Sequence, residues 1–243
     1  MNGAFPSPPR VAAVVPAYNE QETLAAVLAV LKSTPLIQDI LVVSDGSTDA
    51  TVKIATAERV KVIHLRENCG KGTAMAVGVA HTRAPVLVFV DGDILNLSEA
   101  QVTELITPVV SGRADMNVGI RHRGLLLDTL HRRFGPLLSG IRCLRREIFE
   151  AAPEDHLEGF AIETALNWAA RQLNQRLATT VLYGLKHLVK EKKRGLAAGV
   201  SARVRMFCSV FAAWVTLHWE QPGLRTAAAR PRLASPALDY INF

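Results

Sequence analysis

Strand-like and helical segments alternate four times in the first 110 residues, and this alternation constrains the fold more than any other feature of the sequence. The strand-like runs, rich in Val, Ile and Leu, lie at residues 11–15, 39–43, 60–65 and 86–90. Segments with helical spacing follow them at residues 20–32, 50–57, 71–82 and 97–110. Strands joined by helical crossovers pair in parallel, and continuous apolar runs indicate helices on both faces of the sheet. The sequence therefore predicts an α/β fold with a doubly wound, mostly parallel sheet.

The alternation weakens beyond residue 111. Further strands are predicted at residues 114–120 and 177–185, and further helices at residues 159–173 and 197–219. A chain of 243 residues is long enough to bury a sizeable core in one domain. We predict a flexible lead-in at residues 1–9, a single domain at 10–220 with halves at 10–110 and 111–220, and a loosely ordered tail at 221–243.

Three features bear on where the protein works. Residues 1–10 lack the apolar core of a signal peptide. The apolar run at residues 206–219 is too short to span a bilayer comfortably. The cysteines at positions 69, 143 and 208 are widely spaced and form neither a metal-ligand cluster nor a disulfide framework. Together these features predict a cytoplasmic protein.

Charge is divided unevenly along the chain. Residues 1–110 hold eight Lys and Arg against eleven Asp and Glu, a net charge of −3, whereas residues 111–243 hold 20 against 11, a net charge of +9. A basic half suits nucleic acid, anionic lipid or a phosphorylated small molecule, and a solvated basic surface is the alternative.

Two of the apolar runs end abruptly in Asp-Gly. Asp45 follows the second run and Asp91 the fourth, while residues 16–20 follow the first. Open parallel sheets bind their ligands in the crevice beyond the carboxyl ends of the strands. All three segments are therefore expected at one edge of the sheet, where they would face a shared site.

The segment Asp91-Gly92-Asp93 places two carboxylates two residues apart on a turn. Mg²⁺ and Mn²⁺ prefer carboxylate oxygens and are usually held together with substrate phosphates. The pattern predicts a divalent cation that neutralises a diphosphate. Because Asp-Gly is also a common turn signal, a plain turn is the alternative.

Gly70, Lys71 and Gly72 open the third predicted helix. Backbone N–H groups and the helix dipole favour an anion at such a position, and Lys71 adds a full positive charge. The spacing is not that of a Walker A loop, and no dinucleotide-binding G-x-G-x-x-G follows the first strand. An anion site is one interpretation, and a solvated lysine is the other.

Four motifs occur in an order typical of one enzyme family. They are VVPAYNEQETL, ILVVSDGSTDAT, NCGKGTAMAVGVAHT and VLVFVDGDIL. Together they closely resemble the N-terminal half of family 2 nucleotide-sugar glycosyltransferases with the A-type fold. The resemblance implies that Asp91 and Asp93 are the family's D-x-D acids, of which the second commonly holds the metal. It also implies a nucleotide-sugar pocket that includes Pro16, Ala17, Tyr18, Glu20, Asp45, Ser47, Lys71 and Asp91.

The second half resembles uncharacterised bacterial members of the family in the segments LLSGIRCLRREIF, EGFAIETAL and LKHLVKEKKRGLAAGVSARVRM. It is more distantly similar to glucosyl-3-phosphoglycerate synthases and polyprenyl-phosphate glycosyltransferases. In the synthases a histidine after the last strand completes the metal site, and His187 stands in the matching place. A lone histidine is otherwise more often structural.

Glu163 opens a predicted helix where inverting members of the family keep the acid that activates the acceptor. In retaining relatives the corresponding acid contacts the donor sugar instead. Glu163 lacks the adjacent Asp of the frequent Glu-Asp pair. Both roles therefore stay open, as does a plain first-turn glutamate favoured by the helix dipole.

By the same resemblance, the acceptor site includes Ser139, Gly140 and Arg142, together with arginines of residues 121–124 and 131–134. Arginine forks suit phosphate groups. The net charge of +9 agrees with this, so the resemblance implies a phosphorylated acceptor.

We therefore expect a glycosyltransferase that uses Mg²⁺ or Mn²⁺ to move a hexose from a UDP- or GDP-sugar to a small phosphorylated molecule. Glu163 and Asp93 are its expected catalytic residues, and Asp93, His187 and Asp91 its expected metal ligands. No nucleic-acid partner is expected, and a homodimer is left open.

Two alternatives remain. The first is transfer to polyprenyl phosphate or another lipid at the inner membrane face, where residues 186–194 and the final helix would form an interfacial anchor. The second is a nucleotidyltransferase or a non-catalytic nucleotide-sugar binder. Against the second, a nucleotidyltransferase would need a Gly-rich loop after the first strand, and a non-catalytic binder would be expected to lose the Asp-Gly-Asp segment.

Overall fold

A computed structural model describes residues 7–122, 139–153, 161–187 and 238–241. Its strands are β1 (Val11–Ala17), β2 (Asp39–Asp45), β3 (Lys61–Leu65), β4 (Val86–Phe89), β5 (Ile94–Leu95), β6 (Met116–Arg121), β7 (Arg142–Arg145), β8 (Leu177–Leu182), β9 (Lys186–His187) and β10 (Leu238–Ile241). Its helices are α1 (Leu24–Ser33), α2 (Thr51–Ala57), α3 (Lys71–Ala80), α4 (Glu99–Val110), α5 (Arg146–Ala151) and α6 (Ala161–Gln172).

Eight of these strands form one sheet, in the order β10-β3-β2-β1-β4-β7-β6-β8. β7 and β10 run antiparallel to their neighbours, and the other strands of the sheet are parallel to one another. From β1 the chain first builds outward through β2 and β3 and then returns to place β4 on the other side of β1. The predicted doubly wound, mostly parallel sheet is confirmed.

Helices cover both faces of this sheet. Alternate residues of β1 point to opposite sides, so Val15 packs in one apolar cluster and Val14 in another. The first cluster includes residues of α1, α2 and α4, and the second includes residues of α3, α5 and α6. Every residue of β1 is buried, which explains why the strand has no polar alternation in the sequence.

Local sequence signals predict the start of α4 correctly and place the start of α1 too early. α4 begins at the predicted cap, where the Ser98 hydroxyl accepts from the Gln101 N–H and the Gln101 side chain accepts from the Ser98 N–H. α1 begins at Leu24, four residues later than predicted, because residues 18–22 form turns at the carboxyl end of β1. One of them, Asn19, has a φ of 55° and cannot continue a right-handed helix.

The tail differs from the expectation of loose order at four residues. Leu238–Ile241 form β10, which pairs with β3 in the register Tyr240↔Ile63. This pairing satisfies backbone groups along the side of β3 that faces away from β2. The other tail residues, the predicted helix at 197–219 and the arginines at 123, 132 and 133 lie outside the described residues. Among the described helices, none is long and apolar enough to cross a membrane.

A buried carboxylate joins the second half of the sheet. The fully buried Asp115, just before β6, accepts from the Arg176 guanidinium at 2.9 Å through both oxygens and lies 3.1 Å from Nε of Arg145. Burial opposes ionisation, but the hydrogen bonds and charge of Arg176, with the charge of Arg145, hold the pKa of Asp115 below its usual range. One acid thus connects β6 to the end of β7 and the start of β8.

Asp115→Asn is expected to lower the free energy of unfolding by about 3 kcal/mol at pH 7, because it removes the buried negative charge that Arg145 and Arg176 both contact. Asp39→Asn is the control, since its partners Arg10 and Lys61 are exposed, and should lose less than about 1 kcal/mol. Urea denaturation followed by circular dichroism measures both.

The same pair of variants gives a pH test. Because the pKa of Asp115 is lower in the folded state, its contribution is complete above the unfolded pKa of about 3.9 and is lost as the pH falls through the folded value. The difference between wild type and Asp115→Asn should therefore shrink below about pH 4. An equal loss in the two variants at pH 7 would contradict this account.

Candidate active site

The carboxyl ends of three neighbouring strands meet at one edge of the sheet. β1 lies between β2 and β4. Ala17 ends β1, Asp45 ends β2, and Asp91 follows the end of β4 by two residues. Strand order reverses between β1 and β4, and open α/β sheets bind ligands at such a reversal. The predicted convergence of these segments on one edge is confirmed.

Lys71 is the charge that organises this edge. Its Nζ lies 2.8 Å from Oδ1 of Asp91 and 3.0 Å from Oε1 of Glu163. Lys71 opens α3, Asp91 follows β4, and Glu163 lies in the first turn of α6, 92 residues from Lys71 along the chain. The three side chains are only 19%, 19% and 7% exposed, so water screens their attraction weakly.

The ion pairs fix the charge state of Lys71. Burial alone would lower the pKa of its ammonium group, but the carboxylates of Asp91 and Glu163 outweigh this effect and raise the pKa above its ordinary value. Lys71 is therefore a permanent cation at the start of α3. The solvated lysine considered as an alternative is excluded by this burial.

Gly140 brings backbone into direct contact with the ion pairs. A Cβ atom built on Gly140 would overlap the carboxylate of Asp91 and the ammonium of Lys71. Only glycine therefore fits this position without displacing the charges. Ser139 and Gly140, predicted for the acceptor site, thus lie beside Lys71, Asp91 and the nearby Glu163.

Arg142 does not lie open to a ligand. Its side chain is fully buried, and its guanidinium donates to the Ser139 carbonyl through Nε at 3.0 Å and through Nη2 at 2.7 Å. Nη1 donates to the Glu163 carbonyl and to Oδ1 of Asn167, both at 3.3 Å. Burial lowers the pKa of Arg142, and the charges of Glu163 and Asp91 oppose that shift. In this arrangement Arg142 holds the segment at 139–140 against α6, and its contact with the acceptor stays a prediction.

Asp45 organises the loop before α3. Its Oδ1 accepts from the Cys69 N–H at 2.7 Å and its Oδ2 from the Gly70 N–H at 2.9 Å. Burial raises the pKa of Asp45, and these two donors partly offset the rise. The next residue, Gly46, has a φ of +67°, and a Cβ atom there would meet the backbone of the facing loop. Asp45 thereby joins the end of β2 to the start of α3, and its contact with a nucleoside stays a prediction.

The residues after β1 line the same edge. Pro16 and Ala17 are buried, whereas Tyr18 is 38% exposed. Glu20 is buried, and its backbone N–H donates to the Thr51 hydroxyl at 2.8 Å. Its Cγ would lie 3.2 Å from a Cβ atom on Gly92, so Glu20 packs beside the Asp-Gly-Asp turn.

Two residues that the sequence analysis did not single out hold these loops together. The buried Thr23 donates its hydroxyl to the Gly92 carbonyl at 2.6 Å and so ties the start of α1 to the Asp-Gly-Asp turn. Asn19 donates its N–H to the Ser47 hydroxyl at 3.1 Å, and its Oδ1 accepts from the Thr48 N–H at 2.8 Å. Asn is one of the few residues other than Gly that readily adopt the left-handed conformation, as Asn19 does two residues after β1. The contact of Thr23 has no comparable local signal.

Two of the expected metal ligands, Asp93 and His187, lie on adjacent backbone segments. Asp93 immediately precedes β5, and β5 pairs with β9 in the register Ile94↔His187. Within the described residues, no three His, Cys, Asp and Glu side chains form a preformed cluster for a metal. Mg²⁺ and Mn²⁺ do not require such a cage, because they commonly take one or two carboxylates together with waters and substrate phosphates. The carboxylates of Asp91 and Asp93 fit that kind of site, and the side chain of His187 lies outside the described residues.

Residues 12–147 match the model of glycosyl transferase family 2, which is more than half of the chain. The chain belongs to glycosyl transferase family 2. The resemblance inferred from the four motifs is thereby confirmed.

Two glycosyltransferases resemble this chain in sequence. Glycosyltransferase AglJ of Haloferax volcanii is 30% identical over 200 residues, covering 74% of this chain and 65% of AglJ. The dolichyl-phosphate β-glucosyltransferase of Drosophila melanogaster is 42% identical over 96 residues, covering 33% of this chain and 29% of that protein. This chain thus spans less than two thirds of the length of either relative.

Solved structures of the family share the fold. Glucosyl-3-phosphoglycerate synthase of Mycobacterium tuberculosis, in complex with Mn²⁺, UDP-glucose and phosphoglyceric acid, superposes with a TM-score of 0.69. The two proteins are 22% identical, and the match covers 85% of this chain and 80% of the synthase. At this identity the likeness establishes the glycosyltransferase A-type fold.

Lys71→Met is expected to lower the free energy of unfolding by about 3 kcal/mol at pH 7, because it removes the cation that the poorly solvated carboxylates of Asp91 and Glu163 both contact. Added Mn²⁺ should recover part of the loss by taking over that charge. Lys32→Met is the control, because Lys32 is 46% exposed in its pair with Glu58 and should lose less than about 1 kcal/mol. Urea denaturation with and without Mn²⁺ measures these effects. Equal losses of unfolding free energy in the two variants would show that the Lys71 ion pairs stabilise the fold no more than an exposed pair does.

Proposed function

We propose that this protein is a metal-dependent glycosyltransferase that moves a hexose from a nucleoside-diphosphate sugar to a small phosphorylated acceptor. The observation that carries the proposal is the position of Lys71, held between Asp91 and Glu163 at the reversal of strand order. This position brings together a fixed cation for a departing diphosphate, an acid of the D-x-D segment and an acid from the acceptor half.

The proposed donor pocket lies at the carboxyl ends of β1 and β2. Tyr18 presents a partly exposed ring there, and Asp45 and Ser47 lie on the loops beside it. UDP-glucose is the donor that we propose first, because a protein of the same fold was crystallised with it and Mn²⁺. The A-type fold alone does not choose between uracil and guanine, so GDP-sugars belong in the same test.

The chemistry requires stabilisation of the charge that develops on the leaving nucleoside diphosphate. The Lys71 ammonium supplies one fixed positive charge at the start of α3, where backbone N–H groups also favour an anion. A divalent cation on Asp93 and Asp91, with His187 as a further ligand, would neutralise the diphosphate when bound. Since Lys71 already pairs with Asp91, donor phosphates would share this lysine with the acid rather than meet an isolated cation.

Glu163 is the group proposed to act at the sugar or the acceptor. Its side chain is 7% exposed, and the ion pair with Lys71 favours the ionised form that a base requires. Arg142 donates to its backbone carbonyl and so fixes the first turn of α6. The adjacent Gly140 leaves a backbone surface, rather than a side chain, at the ion pairs. An acceptor hydroxyl would therefore approach along Ser139 and Gly140.

A polyprenyl-phosphate acceptor is the second candidate. It is favoured by relatives named for such lipids, including an undecaprenyl-phosphate 4-deoxy-4-formamido-L-arabinose transferase of Sodalis glossinidius that is 26% identical over 67% of this chain. Both candidate acceptors carry phosphate, so both suit the basic second half. They differ in whether activity depends on a membrane or detergent phase.

Nucleoside-diphosphate release tests the proposal directly. With Mn²⁺ or Mg²⁺, one of UDP-glucose, UDP-galactose, UDP-GlcNAc and GDP-mannose should be turned over, and phosphoglyceric acid should accelerate the release more than glyceric acid does. Asp93→Ala should abolish metal-dependent release while circular dichroism shows an intact fold. Full activity in Asp93→Ala would remove this residue from the site, and failure of every donor to bind in the presence of metal would overturn the function.

Glu163→Gln keeps the size of the side chain and removes its charge. Loss of a general base should lower kcat by about 100-fold or more, with donor affinity changed only slightly. A fall in donor affinity instead would assign Glu163 to the donor sugar. Glu58→Gln is the matched control, because Glu58 pairs with the exposed Lys32 far from the site. Unchanged kcat and donor affinity in Glu163→Gln would contradict both roles.

A further inference from the structure

A cavity lies at the edge of the sheet opposite the candidate active site, beside the amino ends of β1, β2 and β3. Its volume is about 310 Å³, and its lining includes Arg10, Asp39, Lys61, His81, Thr82 and Arg83. α3 separates the two edges, because the helix begins at the catalytic edge with Lys71 and ends at this cavity with Ala80. The cavity is therefore distinct from the proposed active site.

The lining carries surplus positive charge. Asp39 pairs with Arg10 at 3.0 Å and with Lys61 at 3.3 Å, and so holds both cations at the mouth of the cavity. Arg83 is exposed and makes no ion pair within the described part of the chain. The described lining therefore holds three cations and one carboxylate, a net charge of +2 with His81 counted as neutral.

The negative end of α3 does not cancel this surplus. Carbonyl groups at a helix C-terminus normally carry partial negative charge. Here Nη1 of Arg146 donates to the Val79 carbonyl at 3.2 Å, and Nη2 donates to the Thr82 carbonyl at 2.8 Å. Nδ1 of His81 lies 2.7 Å from the Val77 carbonyl. These donors satisfy carbonyls at the end of α3 and in the turn after it, and the Arg146 guanidinium adds a positive charge there.

The turn that presents Arg83 is rigidly held. Arg146 donates to the carbonyls on both sides of Arg83, those of Thr82 and Ala84, at 2.8 and 2.9 Å. The Ala84 N–H also donates to the Thr82 hydroxyl at 3.2 Å. A backbone fixed before binding loses little further entropy when a ligand arrives. The backbone that carries Arg83 is therefore fixed before a ligand binds, so only the Arg83 side chain has to be ordered on binding.

We propose that this cavity binds a phosphate group, independently of the active site. Two guanidinium forks and one ammonium match the several acceptor oxygens of phosphate, and the forks can bind it in a bidentate manner. The volume admits a phosphate together with a small organic part, so the ligand is a phosphate monoester, either free in solution or on a lipid headgroup.

Calorimetric titration of the full chain with inorganic phosphate tests the site. Wild type should bind, and Arg83→Gln should weaken the binding about tenfold, the loss of one charge-assisted pair. Arg113→Gln is the matched control, because Arg113 is an equally exposed arginine that donates to the Ser111 hydroxyl after α4. It should leave the affinity within about twofold, since removing one distant surface charge changes only the screened field.

Lys71→Met separates this site from the catalytic edge. Phosphate binding that survives Lys71→Met and weakens in Arg83→Gln supports the proposal. Binding that disappears in Lys71→Met and persists in Arg83→Gln would overturn it, as would equal affinities in the two arginine variants or no binding by wild type.

A second arm identifies the source of the phosphate. Wild type, Arg83→Gln and Arg113→Gln are sedimented with phosphatidylcholine vesicles with and without phosphatidic acid. Binding to the phosphatidic acid vesicles that falls only in Arg83→Gln identifies a lipid headgroup. Phosphate binding without vesicle binding identifies a soluble ligand.

Discussion

The double ion pair of Lys71 is the interaction on which the candidate site depends. It joins three parts of the chain that share no local contact: the start of α3, the turn after β4 and the first turn of α6. Without the cation, two poorly solvated carboxylates would face each other across a few ångströms, and their repulsion would separate the two halves of the protein at this point. We propose that the same charge stabilises a leaving diphosphate, in which case stability and catalysis both require Lys71.

The surrounding backbone is built to keep that cluster compact. Gly140 has no side chain that would push Asp91 and Lys71 apart. The Arg142 guanidinium donates to the Ser139 carbonyl and so fixes the residue before Gly140. At the end of β2, the Asp45 carboxylate likewise fixes backbone, because it accepts hydrogen bonds from N–H groups of the loop before α3. Two buried charged residues, Asp45 and Arg142, therefore hold the backbone of neighbouring segments in place. Both sit where the family resemblance implies ligand contacts, and those contacts stay predictions.

The sequence predicts most of the first half because its signals are local. Apolar runs give β1 to β4, Lys71 opens α3 as expected, and Ser98 caps α4 through its Gln101 partner. The contacts that build the site are not local. Nothing in the spacing of residues reveals that Lys71 meets Glu163, that Arg142 is fully buried, or that Leu238–Ile241 pair with β3. These depend on strand order and long-range packing, which periodicity does not encode.

The most direct test of the central claim is a crystal structure with Mn²⁺ and UDP, in which anomalous scattering locates the metal. The account predicts Mn²⁺ bound by Asp93 and the diphosphate, with Lys71 contacting a phosphate oxygen while it remains near Asp91. Mn²⁺ away from Asp93, or a diphosphate bound without contact to Lys71, would contradict it.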